Sequence, residues 1–256
     1  MRCKGQVAVV VGGGQGIGKE IVLRLAEEGA DIVIADISPD REATAEAARA
    51  LGRKALAIET DLRSEDSVRA MAEQTLAAFG SIQTLVNNSG IPGAMGHVDE
   101  ISLAEWNEAF AINLTGMFLT TRYLLPGLKQ NGGSIVNMAS NSAMKPMKCR
   151  TPYCTTKAAV VGFTKSLAVD LGEFNIRVNA VSPGRVEGER IQKTMRHAAE
   201  VAGLSFDAYV KDLKSQAPLN SFVSPRMVAD AVLFLCSPES AMTTGINLYV
   251  NAGIYM

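Results

Sequence analysis

The stretch Val7–Gly18, VAVVVGGGQGIG, constrains this chain more than any other. Five apolar residues, Val7 to Val11, have the β-branched character of a short buried strand. Gly12, Gly16 and Gly18 follow with small or polar residues between them, and an apolar helical pattern begins at Ile17. A strand passing through glycines into a helix is the signature of a dinucleotide-binding turn. Pyrophosphate can approach a backbone only where no Cβ intervenes, and helix N-terminal amides present the positive end of a dipole. Gly12, Gln15, Gly16, Ile17 and Gly18 are then the phosphate-side residues. The spacing is G-x-x-x-G-x-G, and a glycine-rich hairpin without a ligand is the alternative.

The next segment narrows the cofactor. Ile17, Ile21, Val22, Leu25 and Ala26 recur at helical spacing and Gly29 ends the helix. A second apolar run, Asp31–Ala35, closes on Asp36, which lies 18 residues beyond Gly18. A carboxylate there accepts hydrogen bonds from the adenosine ribose hydroxyls and repels a 2′-phosphate. Ile37 and Ser38 bring no cation and Gln15 is uncharged, so NAD is expected over NADP. A turn cap before Pro39 is the alternative role for Asp36.

Strands and helices go on alternating. Helices are expected over Arg41–Leu51, Ser64–Phe79, Ser102–Gln130, Thr151–Leu171 and Ser224–Cys236. Strands are expected over Ala55–Ile58, Thr84–Val86, Ser134–Met138, Ile176–Val181 and Ile246–Val250. Ser102 with Glu105 forms a capping box, and Pro152 suits the first turn of its helix. This order implies an α/β fold: a doubly wound, seven-stranded parallel sheet of the Rossmann type with helices on both faces. Ligands of such sheets bind at the carboxyl ends of the strands. The segment Gly184–Asn220 breaks the rhythm with two short helical patterns, Glu189–Ala202 and Phe206–Lys214. It reads as a substrate loop or lid, or else as a surface insertion.

Composition closes off other classes. A chain of 256 residues, 47% hydrophobic and 20% charged, fits one large domain with an ample core. A net charge of −1 points to no nucleic acid or membrane surface. No apolar run reaches a membrane span, and MRCKGQ lacks a signal-peptide core. Cys3, Cys149, Cys154 and Cys236 form no metal-ligand pattern with His97 and His197, so no metal is expected. They read as reduced thiols of a soluble, cytoplasmic protein. Cys149 and Cys154 flank Tyr153, but without a basic partner in reach they are structural.

Tyr153 and Lys157, four apart, share one helix face. A phenol exchanges protons poorly near neutral pH, and a nearby ammonium favours its ionised form. Such a tyrosine can take the proton of an alcohol as hydride leaves the carbon. Ser140, 13 residues earlier, ends the fifth strand where its hydroxyl could bond a carbonyl oxygen, or merely cap the strand. Asn113 lies between Ile112 and Leu114 within a long expected helix, an unusual place for a buried amide unless its partners satisfy it.

With these residues assembled, the chain closely resembles the compact, single-domain branch of the short-chain dehydrogenase/reductase family, from Val7 to Gly253. The matching segments are Gly12, Gly16 and Gly18; Asp61-Leu62; Asn87–Gly90, with Ser89 where alanine is usual; Asn113, Ser140, Tyr153 and Lys157; and Pro183-Gly184. The resemblance implies that Tyr153 is the general acid/base and Ser140 polarises the substrate oxygen. It implies that Lys157 binds the nicotinamide ribose and Asn113 holds a relay water through its backbone. Asp61, Leu62, Asn88, Ser89, Gly90, Pro183, Gly184 and Val186 would line the cofactor. Val11 stands where threonine is usual. Gly188 stands about where a threonine contacts the carboxamide, a contact that the Val186 backbone could replace.

The resemblance leaves the substrate open: a small hydroxyl or keto compound, which could be anionic, sugar-like or cyclic. Lys145, Lys148, Arg150 and Arg185 cluster in the segments that would line the pocket, so Arg150 or Arg185 could contact an anionic group. A solvated surface is the alternative. A catalytically silent NAD-binding sensor is the competing function, and intact Ser140, Tyr153 and Lys157 speak against it. An epimerase or dehydratase of the longer branch would need a separate C-terminal substrate domain. The last helix, the last strand and Asn251–Met256 resemble segments through which family members pair, implying a homotetramer.

Overall fold

The computed structural model describes residues 1–254, apart from the side chains of Glu189, Arg190, Lys193, Thr194 and His197. The His197 side chain and the tail residues Tyr255 and Met256 invoked above lie outside the described residues. Seven strands form one parallel sheet: β1 (Val7–Val11), β2 (Asp31–Asp36), β3 (Ala55–Glu59), β4 (Thr84–Asn87), β5 (Gly133–Met138), β6 (Ile176–Pro183) and β7 (Asn247–Val250). Their order is β3-β2-β1-β4-β5-β6-β7, with every neighbouring pair parallel. This is the doubly wound α/β sheet expected, and its strand order reverses between β1 and β4.

Strand alternation divides the core in two. Ala8, Val10, Ile32 and Ile34 pack with residues of α1 (Gly16–Glu27), α2 (Asp40–Ala50) and α9 (Pro225–Cys236). Val9, Val11, Val33, Leu85 and Ile135 pack on the other face. There they meet Met71 of α3 (Glu65–Phe79), Leu124 and Leu128 of α5 (Gly116–Lys129), and Leu171 of α6 (Thr151–Leu171). Fully burying one such aliphatic side chain stabilises by about 1.5–3 kcal/mol, so both layers hold the sheet firmly. Ser64, Ser102 and Ser224 cap α3, α4 (Leu103–Phe110) and α9 by accepting backbone N–H bonds, and the Ser102–Glu105 capping box is complete.

Element boundaries fall within two residues of those expected, with one exception. The single helix expected over Ser102–Gln130 is broken: α4 and α5 are joined by a π-helical turn over Ala111–Thr115, with Asn113 inside it. Apolar periodicity runs through both pieces and does not register one extra residue in a turn. The segment after β6 holds α7 (Glu189–Val201) and α8 (Phe206–Ser215), close to the two patterns read from sequence. Among the described residues no helix is long and apolar enough to cross a membrane.

Candidate active site

The glycines of the first turn have distinct tasks. Gly12 has φ +78°, and a Cβ there would stand 2.5 Å from Ser89 Oγ. A Cβ on Gly18 would overlap the Gly12 carbonyl oxygen. Those two let the turn, α1 and the end of β4 pack together. Gly16 differs: at φ +55° its Cβ would meet nothing within 4 Å. It borders open space at the start of α1, where Gln15 provides no side-chain cap and the first turn, with Ile17, carries no acid. Uncapped helix amides beside open backbone fit a pyrophosphate.

Asp36 closes this turn from β2. Its Oδ2 accepts the Gly14 N–H at 2.8 Å and its Oδ1 accepts the Ser38 N–H at 2.9 Å. The turn-cap role raised from sequence is therefore present, and each oxygen keeps a lone pair free for another donor. Arg41, overlooked in sequence because it lies beyond Ser38, donates to the Ser38 carbonyl at 2.9 Å and pairs with Glu59 at 2.8 Å. Asp61 is paired with Arg63 at 2.7 Å, whose hydrogen bonds hold its carboxyl below the usual range. Leu62 is buried against the start of α5, where a Cβ on Gly116 would stand 2.8 Å from its own Cβ.

The loop after β4 joins the two halves of the crevice. Asn88 Nδ2 donates to the Gly12 carbonyl at 2.7 Å. A Cβ on Gly90 would stand 3.2 Å from Asn113 Oδ1 and 3.3 Å from Lys157 Nζ, so only glycine fits between them without displacement. Asn113 is fully buried. Its Oδ1 accepts the Ile91 N–H at 2.7 Å, while its Nδ2 donates to the Ile91 carbonyl at 3.0 Å and to Thr156 Oγ1 at 3.1 Å. Thr156 in turn donates to the Tyr153 carbonyl at 2.9 Å, tying the π-turn to the first turn of α6. Sequence inspection overlooked Thr156, although its place between Tyr153 and Lys157 was a signal.

Lys157 is 4% exposed, and its Nζ donates to the Met138 carbonyl at the end of β5, 2.7 Å away. Burial pushes its ammonium down to about 8. The same Nζ lies 5.9 Å from the centre of the half-buried Tyr153 ring. Ser140 stands two residues past β5 as the cap of a short 3-10 turn, Asn141–Ala143, which packs against α6. Its Oγ accepts the Ser142 N–H at 3.1 Å and donates to Ser142 Oγ at 3.3 Å, so the hydroxyl caps this turn rather than the strand end itself. Beneath the site a buried ladder runs from Thr120 to Asn87 (2.7 Å), Asn87 to Asn137 (2.9 Å) and Asn137 to Thr164 (3.0 Å). It locks β4, β5, α5 and α6 together, and the sequence reading did not find it.

On the far side, Pro183 pairs with Val250, and a Cβ on Gly184 would stand 2.9 Å from Asn251 Cα. Val186 forms an isolated bridge with Val223. The two arginines weighed for an anion part company here. Arg185 donates to the Leu213 carbonyl at 3.2 Å and to Gln216 Oε1 at 3.0 Å, so its guanidinium is committed to the end of α8. Arg150 sits with its guanidinium carbon 5.3 Å from the Tyr153 ring centre.

Comparison with known proteins agrees with this geometry. A family model described as enoyl-(acyl carrier protein) reductase matches residues 11–255. The 3-oxoacyl-[acyl-carrier-protein] reductase FabG of Aquifex aeolicus is 36% identical over 258 residues, covering 100% of this chain and 99% of its own. This chain belongs to the short-chain dehydrogenase/reductase family. An NAD+-bound xylitol dehydrogenase superposes with a TM-score of 0.92 at 30% identity, covering 99% of this chain and 100% of that one. L-Sorbose reductase from Gluconobacter frateurii, complexed with NADPH and L-sorbose, superposes with a TM-score of 0.93 at 30% identity over 99% and 98% of the two chains. The chain is thus a short-chain dehydrogenase/reductase oxidoreductase that works with a nicotinamide cofactor. Of these two neighbours one holds NAD+ and the other NADPH, so likeness alone leaves the 2′-phosphate question to Asp36.

Of the two departures from the usual short-chain dehydrogenase/reductase pattern, that at Val11 is accommodated locally. Val11 is buried in the core, and its carbonyl accepts both the Asn88 and Ser89 N–H bonds at 3.0 Å, so the turn closes through the main chain. Gly188 caps α7 without a side chain, one residue past Glu187, whose N–H donates to the Val223 carbonyl at 2.8 Å.

Proposed function

We propose that this protein interconverts a secondary alcohol and a ketone, with NAD as its cofactor and Tyr153 as general acid/base. The observation that carries this reading is the buried Lys157 ammonium, one helical turn from Tyr153 and flanking its ring. The bound nicotinamide supplies or accepts the hydride. Ser140 Oγ accepts an N–H from Ser142 and donates its proton to Ser142 Oγ over a long 3.3 Å, a bond it would exchange for one to the substrate oxygen. Tyr153 takes the alcohol proton in oxidation and returns it in reduction. Lys157, charged and held in a low-dielectric setting, favours the phenolate and offers N–H donors to the cofactor ribose. The Asn113 side chain is spent on Ile91 and Thr156, so its part in moving protons to solvent falls to the main chain of the π-turn, through a bound water.

Asp36 supports NAD. Its free lone pairs suit the two ribose hydroxyls, and Arg41, the cation at the start of α2, is engaged by Glu59. The Lys157 reading is tested by incubating the protein with a panel of secondary alcohols and NAD or NADP near pH 7, where Lys157 is charged, following the reduced nicotinamide absorbance. Turnover is expected with NAD at a kcat/KM at least roughly tenfold above that with NADP, the scale of one carboxylate–phosphate repulsion of ~1.4 kcal/mol at the protein surface. Asp36→Ala should narrow that gap. Tight NADH binding with no turnover of any hydroxyl compound would overturn the proposal.

A further inference from the structure

Arg150 occupies an unusual position for a cation. It ends the loop 144–150, and the residue before it, Cys149, adopts a left-handed φ of +58° that costs a non-glycine residue about 1 kcal/mol. The Gly96 N–H from the loop after β4 donates to the Cys149 carbonyl at 3.2 Å and holds it there. This fixes Arg150 as the residue before α6, with a side chain that does not cap the helix. Its Nε is buried and has no partner, and its guanidinium makes no hydrogen bond or ion pair among the described residues. Arg185 bonds the end of α8, and Arg177 donates to Leu235 O and Ser240 Oγ. A buried N–H left unmatched costs about 1–3 kcal/mol, so a guanidinium held this way calls for a role that compensates the cost.

We propose that Arg150 anchors a carboxylate on the substrate, which makes the substrate a hydroxy acid or its keto acid. This rests on the Tyr153-centred reading of the site. With Nε buried, the guanidinium presents its two terminal N–H groups as a planar fork, and the matching acceptor is a two-oxygen anion. With Arg150 three residues before Tyr153 and its guanidinium over the ring, the anchored group and the reacting carbinol fit within one small molecule. Lys157 and Arg150 both flank the phenol ring, and a carboxylate neutralises part of that charge when it binds. The two loops that Gly96 and Cys149 tie together expose Met95, Met144 and Met147, an adaptable apolar rim for the rest of the molecule.

The test uses matched neutral partners. Binding of hexanoate and of hexanamide to the NADH-loaded protein is measured by calorimetry for the wild type, Arg150→Gln and Arg150→Lys. In parallel, kcat/KM is measured for a 3-hydroxy acid and its methyl ester. Hexanoate is expected to bind roughly tenfold to a hundredfold tighter than hexanamide, the range of a charge-assisted pair, with Arg150→Gln abolishing the difference and Arg150→Lys keeping part of it. Arg150→Gln should raise KM for the acid by a similar factor and leave the ester within about threefold, since the ester offers the guanidinium no charge. Equal affinity for hexanoate and hexanamide overturns the anchor, as does an equal loss on acid and ester. If hexanoate and hexanamide bind equally while neutral alcohols are still turned over by the wild type and by Arg150→Gln, the Tyr153 chemistry stands while the anchor falls. The binding arm decides the anchor even where no turnover occurs.

Discussion

Burial holds the Lys157 ammonium at about 8, against an ordinary 10.5 for lysine. The folded protein therefore binds fewer protons than the unfolded chain between those values, and its stability rises with pH across that window. The destabilising contribution of the buried charge is complete below pH 8 and gone above 10.5, an overall change of about 3 kcal/mol. Denaturant unfolding of the cofactor-free protein, compared with Lys157→Met, checks this. The wild type should gain about 3 kcal/mol relative to the variant between pH 7.5 and 10.5. A pH-independent difference would mean that the amine is solvated.

The second residue of consequence is Asp36, because it performs two tasks at once. Its two oxygens hold the Gly14 and Ser38 amides, so the carboxylate proposed to read the ribose also shapes the glycine turn. Asp36→Ala should therefore lower affinity for both NAD and NADP while narrowing the preference between them, which titration of the two cofactors would separate.

Among the elements, the π-turn of Ala111–Thr115 joins the most distant parts of the site. Asn113 spans from Ile91 after β4 to Thr156 on α6, with three hydrogen bonds and no exposure. Asn113→Leu leaves the Ile91 amide and carbonyl and the Thr156 hydroxyl short of partners. Unfolding stability should fall by about 2–3 kcal/mol, and kcat should fall more than KM rises, because Thr156 and Tyr153 lose their common support. An unchanged kcat would show that the turn is structural only.

The same element marks where the sequence stopped being legible. Strands such as Val7–Val11 and helices such as Thr151–Leu171 could be read because burial writes a period into the chain. Tyr153 and Lys157 could be read because one helical turn separates them. The π-turn could not, since an extra residue in one turn leaves the apolar pattern on either side intact. Nor could Arg150 be told from Arg185: both are cations in segments that the family resemblance places at the pocket, and only the fold commits one of them to Leu213 and Gln216. The Thr120–Asn87–Asn137–Thr164 ladder stayed hidden because it joins residues remote in sequence.

At the scale of the whole molecule, the parallel sheet brings the glycine turn, the loop after β4, Ser140 and the Pro183-Gly184 turn to one edge. All of them follow carboxyl ends of strands β1, β4, β5 and β6. Beyond β6, the edge strand β7 and helix α9 expose Tyr249, Met227 and Phe234, with Leu219 and Met242 nearby in sequence. An apolar edge of this kind suits a second copy of the chain, in line with the homotetramer that the family resemblance implies. Light scattering behind size exclusion should give four times the 27.2 kDa chain mass, and Met227→Glu with Phe234→Glu should lower it. A monomeric wild type would refute this expectation.

Whether the Tyr153 phenol exchanges the substrate proton is decided by Tyr153→Phe, which removes a single oxygen. With the best alcohol of the panel, kcat should fall by roughly a hundredfold to ten-thousandfold, the usual contribution of a positioned acid/base. NADH affinity, read from its fluorescence, should stay within about threefold, because the ring and Lys157 remain. A variant that retains kcat within tenfold of the wild type, with NADH still bound, would contradict the role given to Tyr153.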